Sequence, residues 1–497
     1  MKEGKSLKIN FIYLVLYKAF IVLVPLIVAP YVSRILGKEL IGEYSYWMSL
    51  IGYFTLIADF GLDDYGSRMI AKKRDNKEEY SKIFYEIMAC RLLLGALLLI
   101  IFFSLTFSGV FGENNIVIFT ILSLHIIGTS LSSFSLFSGL EKFKEITIRT
   151  VIVKLLLVIL IFLFVRKKDD FINYIIIYAF VVLSTPLLMI PYLFKLLARP
   201  KFFNFNFLIH FKKCFAYFIP ILSLTFYSLI DKSMIMWITN NNAENGYFEQ
   251  ASKIISVINN ALNALNLLML SRISYLYEIK AYDEIKSKTT KSFRLLFLLA
   301  LPCVFGLILV SKDFIPFFFG KEFAEASNLM YFLAPTLLFT AYRNLLQSVY
   351  YVPKNKMWAN NLFIILGIII NVSLNMVLIK KYGALGAAIS MFIADFIVSI
   401  IMLIYCRKDI TIKMMWETSK LPLASCFFMC EVGLFVILFV LNKFSGGANE
   451  KVNFFLIFIS CAFTYCFTIC FMKEPLVNET LVTFKRKFIK TKPHNNQ

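Results

Sequence analysis

Lys18 sits about ten residues into an apolar run that opens near residue 9, with Pro25 and Pro30 farther along the same run. At 1.5 Å of rise per residue that is roughly 15 Å deep, near the middle of a hydrocarbon layer ~30 Å thick. An ionisable side chain at that depth is costly, so it usually faces protein or water and marks a pathway. The same reasoning singles out Lys154, Lys232, Lys253 and Arg343, each inside a long apolar run, and Arg34 where the first run ends. Cations placed this way suit an anionic group such as a lipid diphosphate. The plainer alternatives are snorkelling for Lys18 and interfacial anchoring for Arg34.

The interior carboxylates are fewer. Asp231 adjoins Lys232, and neighbours on a helix point about 100° apart, so the two cannot pair face to face. Asp395 and Glu431 lie mid-run farther on. Asp231 and Asp395 are the carboxylates that could carry a coupling H+ or Na+. Glu249 and Lys253 stand at i, i+4 with the acid first, the favourable order for a local ion pair; Asp64 and Arg68 repeat that spacing. Arg91 reads as lying toward the cytoplasmic surface.

Other chemistries are not supported. The three histidines, His125, His210 and His494, are too dispersed for a metal site, and the nine cysteines form no Cys-x-x-Cys pair. There is no GxxxxGK[ST] nucleotide loop and no catalytic cluster in any connection, so neither an enzyme nor a cofactor is expected.

The positioning elements follow from composition. The chain of 497 residues is 59% hydrophobic, with mean hydropathy +0.73, yet carries a formal net charge of +21. About 14 apolar runs of spanning length fill it. They lie near 9–33, 41–62, 83–108, 115–139, 146–165, 171–194, 213–239, 246–270, 293–311, 326–349, 359–379, 384–405, 421–441 and 452–472. The first is too long for a signal-peptide core and reads as a retained helix. With the N-terminus inside, roughly 35 basic residues fall in inside segments against roughly 11 outside. An even count of spans also places the basic tail inside, so both termini are expected in the cytoplasm. The basic pI of 9.4 is therefore topological, and nucleic acid is not an expected partner.

The longest basic connection in mid-chain, 195–213, divides twelve spans into two sets of six. The expected division is 1–200 for spans one to six, 201–410 for spans seven to twelve, and 411–497 for two further spans and a basic tail. Ile41-Gly42-Glu43-Tyr44-Ser45 and Asn245-Gly246-Tyr247-Phe248 open the second span of each half.

Pro25 to Gly37, running into Ile41-Gly42-Glu43-Tyr44-Ser45, resembles the opening of Wzx-like oligosaccharide flippases of the multidrug/oligosaccharidyl-lipid/polysaccharide exporter superfamily. Tyr65-Gly66-Ser67-Arg68, Asp231-Lys232-Ser233-Met234, Ala251-Ser252-Lys253-Ile254 and Tyr382-Gly383-Ala384-Leu385-Gly386 are similar to the family's later motifs, in order. Ser271 departs from it, where relatives commonly carry proline. The resemblance implies an all-α polytopic membrane protein, two six-helix lobes in a V around a central cavity plus two extra C-terminal helices. It implies transport of an undecaprenyl-diphosphate-linked oligosaccharide unit across a bacterial cytoplasmic membrane for capsule or O-antigen-type polymer. Membrane lipids, a polysaccharide polymerase and other assembly proteins are the implied partners. A cation-coupled multidrug antiporter would favour interior acids, and a membrane polymerase would need a large catalytic loop; neither pattern is present.

Overall fold

The computed structural model describes residues 2–112, 115–199, 207–441, 450–480 and 482, and every regular element among them is helical. The first two apolar runs form one element, α1 (Lys2–Asp59), interrupted only at Gly37 (φ 77°, ψ 176°). The expected loop between them is thus a single non-helical residue. A turn through Phe60 and Gly61, both at positive φ, leads into α2 (Leu62–Lys72). The Asn76 side chain then caps α3 (Lys77–Phe107) by accepting from the amides of Glu78 and Glu79, whose acids suit a helix N-terminus.

The run near 115–139 is two helices, α4 (Ile116–Ser130) and α5 (Phe134–Gly139), followed by α6 (Phe143–Phe164). The next run is also divided, into α7 (Phe171–Leu187) and α8 (Ile190–Leu196), beside Pro186 and Pro191. Next come α9 (Phe207–Thr239), α10 (Asn242–Glu278) and α11 (Tyr282–Phe319). The remaining helices are α12 (Ala326–Leu346), α13 (Met357–Tyr382), α14 (Ala384–Cys406), α15 (Ile412–Phe435) and α16 (Glu450–Phe471). Single π-helical stretches, Gln347–Tyr351 and Val436–Leu441, extend α12 and α15.

Among the described residues, 9 helical segments are long and apolar enough to cross a membrane. α9 and α10 are not among them. Leu93, Leu97 and Ile100 on α3, and Phe463, Phe467 and Phe471 on α16, stand exposed in rows. Such rows face hydrocarbon rather than water. Trp237, Trp358 and Trp416 stand exposed near helix ends, where interfacial aromatics collect.

The chain forms two compact units, Met1–Gly246 and Tyr247–Gln497. In the first, α1 packs on α6, α9 and α4, and α4 packs on α7 and α3. α9 also meets α2 and α3, so this unit runs past residue 200, where the sequence reading sets its division. In the second, α11 meets α12, α15 and α16, and α13 meets α14. Its core gathers Phe293, Leu345, Tyr351 and Met402, all nearly or fully buried.

Candidate functional site

The buried polar groups concentrate in a few places. In the first unit, α9 lies along the second half of α1. Near residue 42 there is no room for a side chain: a Cβ on Gly42 would overlap the Asn242 carbonyl, and one on Gly246 would overlap that of Lys38. Farther along, the Ser49 and Ser233 hydroxyls bond at 2.9 Å, and the Tyr53 hydroxyl donates to Ser233 at 3.1 Å. Trp237 Nε1 donates to the Tyr46 hydroxyl at 3.1 Å. At the far end, the Phe60 ring stacks on Phe211 and Phe218, and Gly61 lies so close to α9 that a Cβ there would meet the Phe218 amide nitrogen at 2.8 Å.

Beyond that turn, His210 bridges three helices. Its Nδ1 shares a hydrogen bond with the Tyr65 hydroxyl at 2.8 Å, and its Nε2 shares one with Glu86 Oε2 at 2.7 Å. All three residues are buried. Beside them Arg91, 1% exposed, donates from Nη2 to Asp63 at 2.8 Å and to Asp59 at 3.3 Å, and from Nη1 to the Thr129 carbonyl. The Ser132 hydroxyl also donates to Asp63. These carboxylates line a cavity of about 390 Å³ in the unit, and Lys154 is also in its lining.

In the second unit the charges are paired within it. Arg343 Nη1 donates to Asp395 Oδ1 at 2.6 Å, and the Thr340 hydroxyl donates to the other carboxylate oxygen. Asn344 Nδ2 donates to Asn263 Oδ1 at 2.8 Å, joining α12 to α10. Lys253 meets Glu249 at 3.3 Å in the i, i+4 arrangement the sequence suggests.

The sequence-derived residues are therefore dispersed. Lys253, Arg343 and Asp395 sit in ion pairs of the second unit. Lys154 lines the cavity of the first unit. Asp231 is buried, Lys232 is half-buried beside it on α9, and Arg34 is exposed; each of the three has a polar or charged interaction. Lys18 lies on α1 and its side chain falls outside the described residues. His494 also lies outside them. Glu431, expected mid-span, is exposed on α15.

The structure adds partners that sequence reasoning did not find. Arg91, read as lying toward the cytoplasmic surface, is fully buried within the first unit, its guanidinium held by Asp59 and Asp63. Glu86 and His210 carry no local signal, being 124 residues apart. Asp63 had one available clue: it precedes Asp64 at the start of a short helix, next to a glycine turn.

The chain belongs to the polysaccharide biosynthesis protein family, whose model matches residues 7–270, just over half its length. A putative O-antigen transporter of Shigella dysenteriae is 24% identical over 406 residues, covering 80% of this chain and 99% of the relative. A probable low-salt glycan biosynthesis flippase, Agl15 of Haloferax volcanii, is 22% identical over 437 residues, covering 85% and 87%. In fold the chain is similar to the lipid II flippase MurJ in an inward closed conformation, with a TM-score of 0.74 and 17% identity over 94% of this chain and 99% of that one. The protein is a multi-pass membrane transporter of the Wzx-like flippase type, not an enzyme.

Proposed function

We propose that this transporter moves undecaprenyl-diphosphate-linked oligosaccharide repeat units from the inner to the outer leaflet of a bacterial cytoplasmic membrane, by alternating access, for capsule or O-antigen-type polymer. The observation that carries the reading is likeness over 80% of the chain to a putative O-antigen transporter. On this reading about 14 helices span the bilayer and both termini are cytoplasmic, as the distribution of Lys and Arg requires. The two sets of six spans are the repeats expected of secondary transporters. A polymerase acts on the units delivered.

The diphosphate needs cations inside the membrane-spanning region. Lys18, Arg34 and Lys232, all in the first unit, are the proposed contacts. Lys253 and Arg343 hold carboxylates of the second unit in this state and reach an anion only by exchanging partner. A multidrug antiporter of the same superfamily is the second reading; the excess of interior cations tells against cationic cargo.

Deleting the gene should leave lipid-linked repeat units on the cytoplasmic side, measured by their accessibility to enzymes added to inverted vesicles. An unchanged leaflet distribution rejects the flippase reading. Lys18→Ala and Lys232→Ala should each lower export at normal protein level, and unaffected export in both removes the assigned contacts.

A further inference from the structure

The cavity inside the first unit has a composition that its role in packing does not explain. Asp59 and Asp63 share the single guanidinium of Arg91, and that sharing is unequal. Asp63 has the shorter contact, 2.8 Å against 3.3 Å, and a second donor in Ser132. Lys154 also lines the cavity, with no ion pair or hydrogen bond among the described residues. Ser133 and Thr150, 3% and 6% exposed, also line it, and neither hydroxyl has a partner among the described residues. Hydroxyls that face an open cavity leave room for water or a small polar species to bind them.

The charged and titratable groups around Asp59 are few. They are Asp63 and Asp64 from α2, Arg91 from α3, Cys214 from α9 and Lys154 in the cavity lining on α6. The helices α4 and α7 contribute Thr129, Val181, Val182 and Thr185 to the lining, without charge. A metal cation would need several oxygens, and the guanidinium already occupies one from each carboxylate. A proton needs one lone pair.

We infer that Asp59 is a proton-binding site of the transporter, filled from this cavity and read by the turn that follows it. Protonation forms an O–H bond on the Asp59 carboxyl and cancels its charge; Arg91 stays with Asp63. The end of α1 is then released from α3. The next two residues, Phe60 and Gly61, hold positive φ and seat the turn on α9 through the Phe211 and Phe218 rings. Proton occupancy thereby sets how firmly α9 is held. Its use in coupling rests on the transport reading, whereas proton binding itself does not.

The test is an infrared pH titration of the full chain in lipid nanodiscs, which needs no transport substrate. Wild type minus Asp59→Asn should leave a protonated-carboxyl band that grows as pH falls, and Asp169→Asn, an exposed control, should retain that band. In Asp63→Asn the midpoint of the band should fall, because removing a neighbouring negative charge favours the charged acid. A difference spectrum without the band overturns the assignment, as does a band that follows added Na+ at fixed pH. Should Asp59→Asn fail to fold, an unmoved midpoint in Asp63→Asn overturns it. Loss of export without any change in this band would count against the flippase contacts and leave the proton site standing.

Discussion

Arg343 on α12 and Asp395 on α14 form a 2.6 Å ion pair whose carboxylate is almost wholly buried. Two charges that sequence reading assigned to different tasks, anion contact and ion coupling, thus neutralise each other in this state. Removing one partner strands the other, which costs about 3–5 kcal/mol in buried pairs. Arg343→Met and Asp395→Leu should each lower the thermal unfolding midpoint of purified protein, and the double variant should recover much of that loss. A double variant as unstable as the sum of the singles would show that the pair is not the coupling element.

The same contrast applies within the first unit. Arg91→Met leaves Asp59 and Asp63 without their guanidinium and should destabilise by about 3–5 kcal/mol. Lys154→Met removes a cation that has no ion-pair partner among the described residues and should change stability by less than about 1 kcal/mol. Paired unfolding curves at one pH decide it, and equal losses would contradict the geometry.

His210 links α9 to Tyr65 and Glu86. His210→Ala leaves a buried acid lacking its partner, at a cost of about 1–3 kcal/mol. A double-mutant cycle of His210→Ala with Glu86→Gln should give a coupling of about 0.5–3 kcal/mol. Zero coupling would mean that the two side chains act independently.

Gly42 and Gly246 leave no space for a methyl group between two backbones. Gly42→Ala and Gly246→Ala should each force those segments apart, costing about 1–3 kcal/mol as overpacking does. Export per molecule at the membrane should fall as well. Full export at normal protein level in both variants would show that this approach is dispensable.

How much of this was legible depends on the range of each interaction. Spans are local statements about composition, and the apolar runs reappear as helices such as α3, α6, α13 and α14. Glu249 and Lys253 pair because helix geometry alone brings i and i+4 together. At Asp64 and Arg68 the same spacing gives an electrostatic attraction, and the guanidinium also lies over the Tyr217 ring, 5.2 Å from its centroid. The ring contact comes from the packing of α9 on α2, which no local spacing announces. Arg91 shows the limit most clearly: its two carboxylates come from helices joined by a turn at positive φ, and only the fold brings them to one guanidinium. Polar residues that bind across long sequence separations leave no periodic trace.

Gly37 bears on how the chain is made. With one non-helical residue between its two apolar runs, α1 carries both as one nearly continuous element. A reporter tag inserted at Gly37 would split that element and should perturb insertion, whereas the turn at 109–112 offers a tolerant position for mapping topology.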